Sequence, residues 1–307
     1  METFNRSGFL LNHIQVFLIE AVMMNAVQVS LIALLISSPA LAQVCTNSSG
    51  VISFPSGSSD FCQTEPDYYA ITIYEAGLCT AAPTAPTASS NIDTSSCTTV
   101  FTNSSGSTVS VENGSSTALS GTFTRPADGT YTHGYLLMSK DFIVKAAVDF
   151  GSGANYTGTD DTSTSGRYCM TSQGNRNGGA NSAFCDSSVS AAGELTDPLV
   201  NLSDNPSASF VSSASVTIGS DTMNAYLVDS SDNLVPNTTA GISSAEGNVD
   251  GVVAIQAFGS AVTVTTSTTA LDIAFRVSQG LSVNANYGPN GYMDLGNGPF
   301  YVVLSLN

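Results

Sequence analysis

Asp67 to Cys79 reads DYYAITIYEAGLC. Tyr69, Ile71 and Ile73 fall on one side of an extended chain; Tyr68, Ala70, Thr72 and Tyr74 fall on the other. Side chains of a strand alternate between faces, and β-branched and aromatic residues favour that state. The stretch therefore predicts a strand with both faces at least partly covered. Downstream, Thr80 to Ser90 reads TAAPTAPTASS, a stiff Pro-punctuated loop. Thr98–Thr102 and Thr108–Glu112 read as two strands around a turn at Asn103–Gly106.

From Gly121 to Phe150 the chain reads GTFTRPADGTYTHGYLLMSKDFIVKAAVDF. Pro126–Gly129 is a turn signal, followed by strands at Thr130–Ser139 and Phe142–Phe150 joined tightly at Lys140–Asp141. The P-x-x-G-T-Y-T arrangement at Pro126–Thr132 resembles the turn and strand of transthyretin-like and carboxypeptidase-regulatory-like β-sandwich modules of bacterial surface proteins. The layout is similar over residues 66–150. The resemblance implies an inward Tyr131 and an adhesive or stalk-like sandwich, and it carries no catalytic residues with it.

After Phe210 short alternating strands return, at Thr222–Asp229, Gly251–Phe258, Ala261–Thr266 and Ala270–Ser278, with a final apolar strand at Pro299–Leu306. Ser, Thr, Asn and Gly abound and charged residues are only 10% of the chain, a composition that suits exposed strands better than helices. A single helical turn at Val189–Leu195 is the one helical expectation. The fold class is all-β: one or two β-sandwich or jelly-roll-like domains, disulfide-stapled, after an N-terminal signal helix.

The first 42 residues set the compartment. VQVSLIALLI (Val27–Ile36) is followed by Ala40-Leu41-Ala42, the small residues a signal peptidase accepts, which predicts a cut after Ala42. Met23 and Met24 offer a later start, with residues 1–22 then a mis-called extension. The alternative is an anchor that stays, since Phe9–Ile36 is long enough to span a bilayer. Val44 before Cys45 argues against a lipoprotein. The expected location is secreted, periplasmic or cell-surface, with no membrane insertion once the leader is removed.

All six cysteines lie beyond this leader, and an even count in an exported chain implies disulfides. Neighbours taken in order are 17, 18 and 16 residues apart, which points to Cys45–Cys62, Cys79–Cys97 and Cys169–Cys185. Each loop contributes about 3 kcal/mol through restriction of the unfolded chain. Zinc needs close pairs such as C-x-x-C, and the sequence has none.

Net charge is −17, so the surface repels nucleic acid and anionic lipid. His133 is the one histidine beyond the leader, sits mid-strand, and has no G-x-S-x-G elbow to serve. Two carboxylates alone suffice for glycoside hydrolysis, but no pair stands out and Trp is absent. Tyr68, Tyr69 and Tyr74 are the rings that could stack on a ligand, and Arg176 in the Gly-rich run Gly174–Gly179 is a further contact candidate. No organic cofactor is expected. Calcium is the ion that Asp160 with Asp161, or Asp229 with Asp232 and Asn233, would take, although neither group has the D-x-[DN]-x-[DN]-G spacing.

The organisation expected is a leader at 1–42, an N-terminal β-sandwich at 43–150, a Gly/Ser-rich disulfide loop and linker at 151–209, and a C-terminal β domain at 210–307. The 151–187 loop is the expected contact element. The function expected is a secreted or cell-surface structural or adhesive protein without catalytic activity, with other surface proteins or glycans as partners. Two alternatives stand beside it. One is a binding module for a glycan or small ligand. The other is a self-associating subunit of a filament or virion-like assembly, in which Phe300–Leu306 would add to a neighbour's sheet edge.

Overall fold

A computed structural model describes residues 44–55, 61–112, 115–116, 118–159, 163–173, 182–203, 208–218, 220–268, 271–286 and 291–306. The leader, Asp160, Asp161 and Arg176 lie outside them. The first strands are β1 (Thr46–Ser48), β2 (Val51–Ser53), β3 (Phe61–Thr64), β4 (Tyr68–Cys79), β5 (Cys97–Glu112), β6 (Ser115–Ser116) and β7 (Thr122–Phe123). Then come β8 (Gly129–Ser139), β9 (Asp141–Lys145), β10 (Ala147–Asp149), β11 (Tyr156–Gly158), β12 (Ser165–Gly166), β13 (Tyr168–Ser172), β14 (Ser182–Asp186) and β15 (Leu195–Pro198). The last third holds β16 (Ser213–Ile218), β17 (Asp221–Val228), helix α1 (Ile242–Gly247), β18 (Gly251–Val264), β19 (Leu271–Arg276), β20 (Leu281–Asn286), β21 (Tyr292–Asn297) and β22 (Tyr301–Leu306).

β4 is central to a ten-stranded sheet. β5 pairs along one side of it, while β8 and β9 share the other. Beyond β8 lie β18, β17 and β16; beyond β9 lies β15. The alternation read in Tyr68–Tyr74 holds up to Ile73, with Tyr69, Ile71 and Ile73 buried. A bulge between Ile73 and Glu75 then shifts the pattern by one residue, so Ala76 and Leu78 continue the packed face.

Past the bulge, Gly77 lies beside Tyr135 of β8, whose ring covers it. A Cβ added at Gly77 would sit 2.1 Å from Tyr135 Cε1. The ring can lie flat there only because residue 77 has no side chain, and its hydroxyl then reaches Glu75 Oε1 at 2.5 Å and Thr99 Oγ1 at 2.9 Å. Gly77→Ala should therefore destabilise by roughly 1–3 kcal/mol through overpacking. In a Tyr135→Ala background the same change should cost much less, a coupling that urea unfolding of the four-member cycle reads directly.

Two smaller sheets lie at the other end: β1-β2-β10-β13-β14 and β12-β11-β21-β20-β3. They approach closely where Gly158 of β11 meets β14, since a Cβ there would be 2.3 Å from Ala183 O and Phe184 Cα. The last four strands form one long hairpin. β19 pairs with β22 and β20 with β21 in nearly continuous register, with Gly298 N–H donating to Gly280 O across the bend. The β19–β22 half lies over the large sheet, where the Gln256 amide of β18 bonds Val302 N and O. The β20–β21 half is the middle of a small sheet. Tyr69 closes the junction: its ring lies 6.1 Å from Phe142 and 6.0 Å from Phe300, and its hydroxyl donates to Gly298 O at 3.0 Å.

The disulfides join Cys45–Cys62, Cys79–Cys97 and Cys169–Cys185. The last two link residues directly opposite one another in paired strands. Cys45–Cys62 ties the segment entering β1 to β3 of a different sheet. The Cys79–Cys97 loop folds back, and its Ala85 and Ile92 cover Val228, Val253 and Ile255 on the large sheet.

Several sequence expectations are corrected. Asn103–Gly106 does not reverse the chain: β5 bulges out there and resumes pairing with β4, and Asn103 caps the excursion by accepting from Ser105 N–H and donating to Ser120 O. Lys140 is likewise an in-line break, because β8 and β9 both run antiparallel to β4. Gly251–Val264 is one bulged strand, not two, because both parts pair with β8. The expected loop at 151–187 contributes β11 to β14, and the expected linker contributes β15 with Leu195 buried. Small residues in those segments serve close packing, so low hydrophobicity there does not mean an open loop. No helix forms at Val189–Leu195; the short α1 does. Pairing of β8 with β18, and a core shared by the described residues on either side, cross the boundaries drawn at 150 and 209.

Candidate functional site

One side of the β12-β11-β21-β20-β3 sheet is dry: Cys62, Leu281, Val283, Ala285, Met293 and Leu295 are all buried. Alternation puts Phe61, Gln63, Ser282, Asn284, Tyr292, Asp294 and Thr157 on the opposite side. The register sets them in rows. Phe61, Asn284 and Asp294 are direct neighbours across three strands, and Tyr292 stands opposite Thr157 one row further on. Phe61 is 37% and Tyr292 48% exposed; Asn284 is half-buried between them, and Thr157 is half-buried on the far side of Tyr292. The face closes in the other direction, at Gln63 and Ser282, where Gln63 is 9% exposed and its Oε1 has no partner.

β11 covers only the start of β21, so the N–H groups of Leu295 and Asn297 need other partners. Ser182 Oγ accepts from Leu295 N at 2.7 Å and also lies against Asp294 Oδ1. Asp197 Oδ2 accepts from Asn297 N at 2.6 Å and from Asn297 Nδ2 at 2.7 Å. Side chains thus stand in for the missing strand. Burial raises the pKa of both carboxyls above the usual range, and the Asp294 charge raises that of Asp197 further. These are the two acids that share one buried setting, and their oxygens hold a sheet edge together. Such shifts accompany structural as well as catalytic acids.

Because the folded protein holds these protons more tightly than the unfolded chain, their contribution is fully present below the ordinary carboxylate pKa and is lost as pH rises through the raised values. Asp294→Asn keeps an acceptor for Ser182 and removes one buried charge. Thermal unfolding should find it more stable than the parent at pH 8, with the gap narrowing as pH falls toward 4. A pH-independent difference would show that the buried charge is not the cause.

The sequence candidates fall elsewhere. Tyr68 and Tyr74 share the outer side of β4 but lie six residues apart, about 20 Å along a strand. Lys145 Nζ sits 5.7 Å above the Tyr68 ring, and the Thr72 and Thr108 hydroxyls bond between the two tyrosines at 2.9 Å. They form no common pocket. Asp229 Oδ1 is occupied by the N–H groups of Ser231 and Asn233, so it caps its own turn, in which Asp232 is left-handed at φ 59°. Burial first, then Asp229, Asp250 and Glu75, raise the Asp232 pKa. Among the described residues no group of three or more acids, histidines or cysteines is placed to hold a metal ion. His133 bonds Thr132 Oγ1 through Nδ1 at 2.9 Å.

A separate apolar cavity of about 30 Å³ lies against the packed face of the large sheet, lined by residues including Gly134, Met223, Phe258 and Val302. Water-sized space in an apolar setting suits neither a substrate nor a hydrated ion. Phe61 and Tyr292 escape sequence reading because they are 231 positions apart and meet only through β20. Among the described residues no helix is long and apolar enough to cross a membrane. Comparison with known families, with characterised proteins and with solved structures finds nothing that matches this chain.

Proposed function

We propose that this is a secreted or cell-surface adhesive β protein that acts by contact and not by catalysis. The observation that carries this reading is the side of the small sheet on which two exposed aromatic rings, Phe61 and Tyr292, stand among amide and hydroxyl side chains. Rings with polar neighbours on a rigid sheet are what recognition surfaces are made of. The three disulfides support an oxidising location. The resemblance of Pro126–Thr132 to surface-protein sandwich modules points the same way, and Tyr131 is buried, with its hydroxyl donating to Ala127 O.

We place adhesion ahead of assembly through Phe300–Leu306 because one edge of that strand is already taken within the chain. β22 pairs with β19 of the same chain, and Phe300 and Val302 are buried. The test is adhesion. Oxidised, fluorescently labelled protein should bind cells or extracellular matrix saturably, and a Phe61→Ala/Tyr292→Ala double variant that folds should not. Equal retention of both proteins would overturn the reading.

A further inference from the structure

Resting on that adhesive reading, we infer that the Phe61–Asn284–Tyr292 face binds an uncharged oligosaccharide. Neither ring is consumed by the core, and an exposed aromatic face offers a surface on which the C–H side of a sugar ring can lie. Between the rings the Asn284 amide supplies two donors and an acceptor, and Thr157, on the far side of Tyr292, supplies a hydroxyl, the groups that pair with sugar hydroxyls. Strand spacing and rise put the Phe61 and Tyr292 positions two strands and two residues apart, about 12 Å, which is room for a short chain of sugars.

Charge narrows the ligand class. The strands of this face, β3, β11, β20 and β21, contain no Lys or Arg, Asp294 lies on it, and the net charge of the chain is −17. Sulfated, phosphorylated or uronic glycans would meet repulsion with no cation to offset it. An extended peptide adding a strand at β3 is also disfavoured, because Cys45 N–H already donates to Gln63 O there. Gln63 Oε1, buried and unpartnered beside the Phe61 row, is one acceptor the free protein leaves unmet.

The experiment titrates the oxidised protein with cellotetraose, maltotetraose, mannotetraose and chitotetraose, with a heparin-derived tetrasaccharide as the anionic control, by calorimetry and saturation-transfer NMR. At least one neutral tetrasaccharide should bind and the anionic one should not. Phe61→Ala and Tyr292→Ala, checked for native circular dichroism, should each weaken binding at least about tenfold. Tyr292→Phe should retain it, and Tyr74→Ala on the large sheet should leave it unchanged. No binding by any neutral sugar, or binding that survives both alanine changes, overturns the inference. If the labelled protein still adheres to cells through the two rings while no neutral sugar binds or competes, the glycan inference fails and the adhesive reading stands. If nothing adheres, the adhesive reading itself fails.

Discussion

Replacing Tyr69 with alanine should cost about 3–5 kcal/mol, the range for removing a large buried aromatic side chain. The residue is 2% exposed and stands where the large sheet meets the bend of the C-terminal hairpin. Its ring touches Phe142 of β9 and Phe300 beside β22, and Phe300 in turn lies 6.0 Å from Phe275. Deleting it opens a void shared by three segments that no neighbouring side chain is free to fill. Tyr69→Phe separates packing from hydrogen bonding: it keeps the ring, strands Gly298 O, and should cost about 1 kcal/mol. Burial and the nearby Asp197 carboxylate hold the hydroxyl protonated, so the bond persists into alkaline solution. Urea unfolding of the two variants reads both numbers. Equal losses would mean that the bond, not the ring, secures the junction.

The second large effect follows from opening Cys79–Cys97. A double Cys79→Ala/Cys97→Ala variant should lose about 3 kcal/mol from loop entropy alone. It should also loosen the Thr80–Ser96 cover over Val228, Val253 and Ile255. The expected signature is twofold: a lower urea midpoint, and faster amide exchange in β17 and β18, which carry those residues. The matching change at Cys169 and Cys185 should lower the midpoint without touching exchange in β17 and β18, because that bridge links β13 to β14 in another sheet. A loss below about 1 kcal/mol for the first variant would show that the loop holds its place by packing alone.

Much of the scaffold can be read from the sequence. The period of two in Tyr68–Ile73 and the even spacing of the cysteines are local signals, and local signals survive folding. In-line breaks do not announce themselves: Asn103–Gly106 carries turn residues, and only the partner strand shows that the chain goes on in the same direction. The segment from Tyr156 to Asp186 is poor in apolar side chains, yet Gly158 and Ala183 are small because two sheets meet there. The candidate face was the least legible feature. Phe61 and Tyr292 are unremarkable in their own neighbourhoods, and Asp197 and Asp294 acquire their setting only where β11 stops short of the end of β21.

The hairpin from Leu271 to Leu306 lies over the large sheet with one half and forms the middle of a small sheet with the other. A nascent chain that has not yet delivered it cannot cover the packed side of β18 or fill the middle of the small sheet. Such non-local closure delays folding until late in synthesis. That delay leaves most of the chain without its apolar cover, and open to any factor that grips unfolded polypeptide, until the final strands are made.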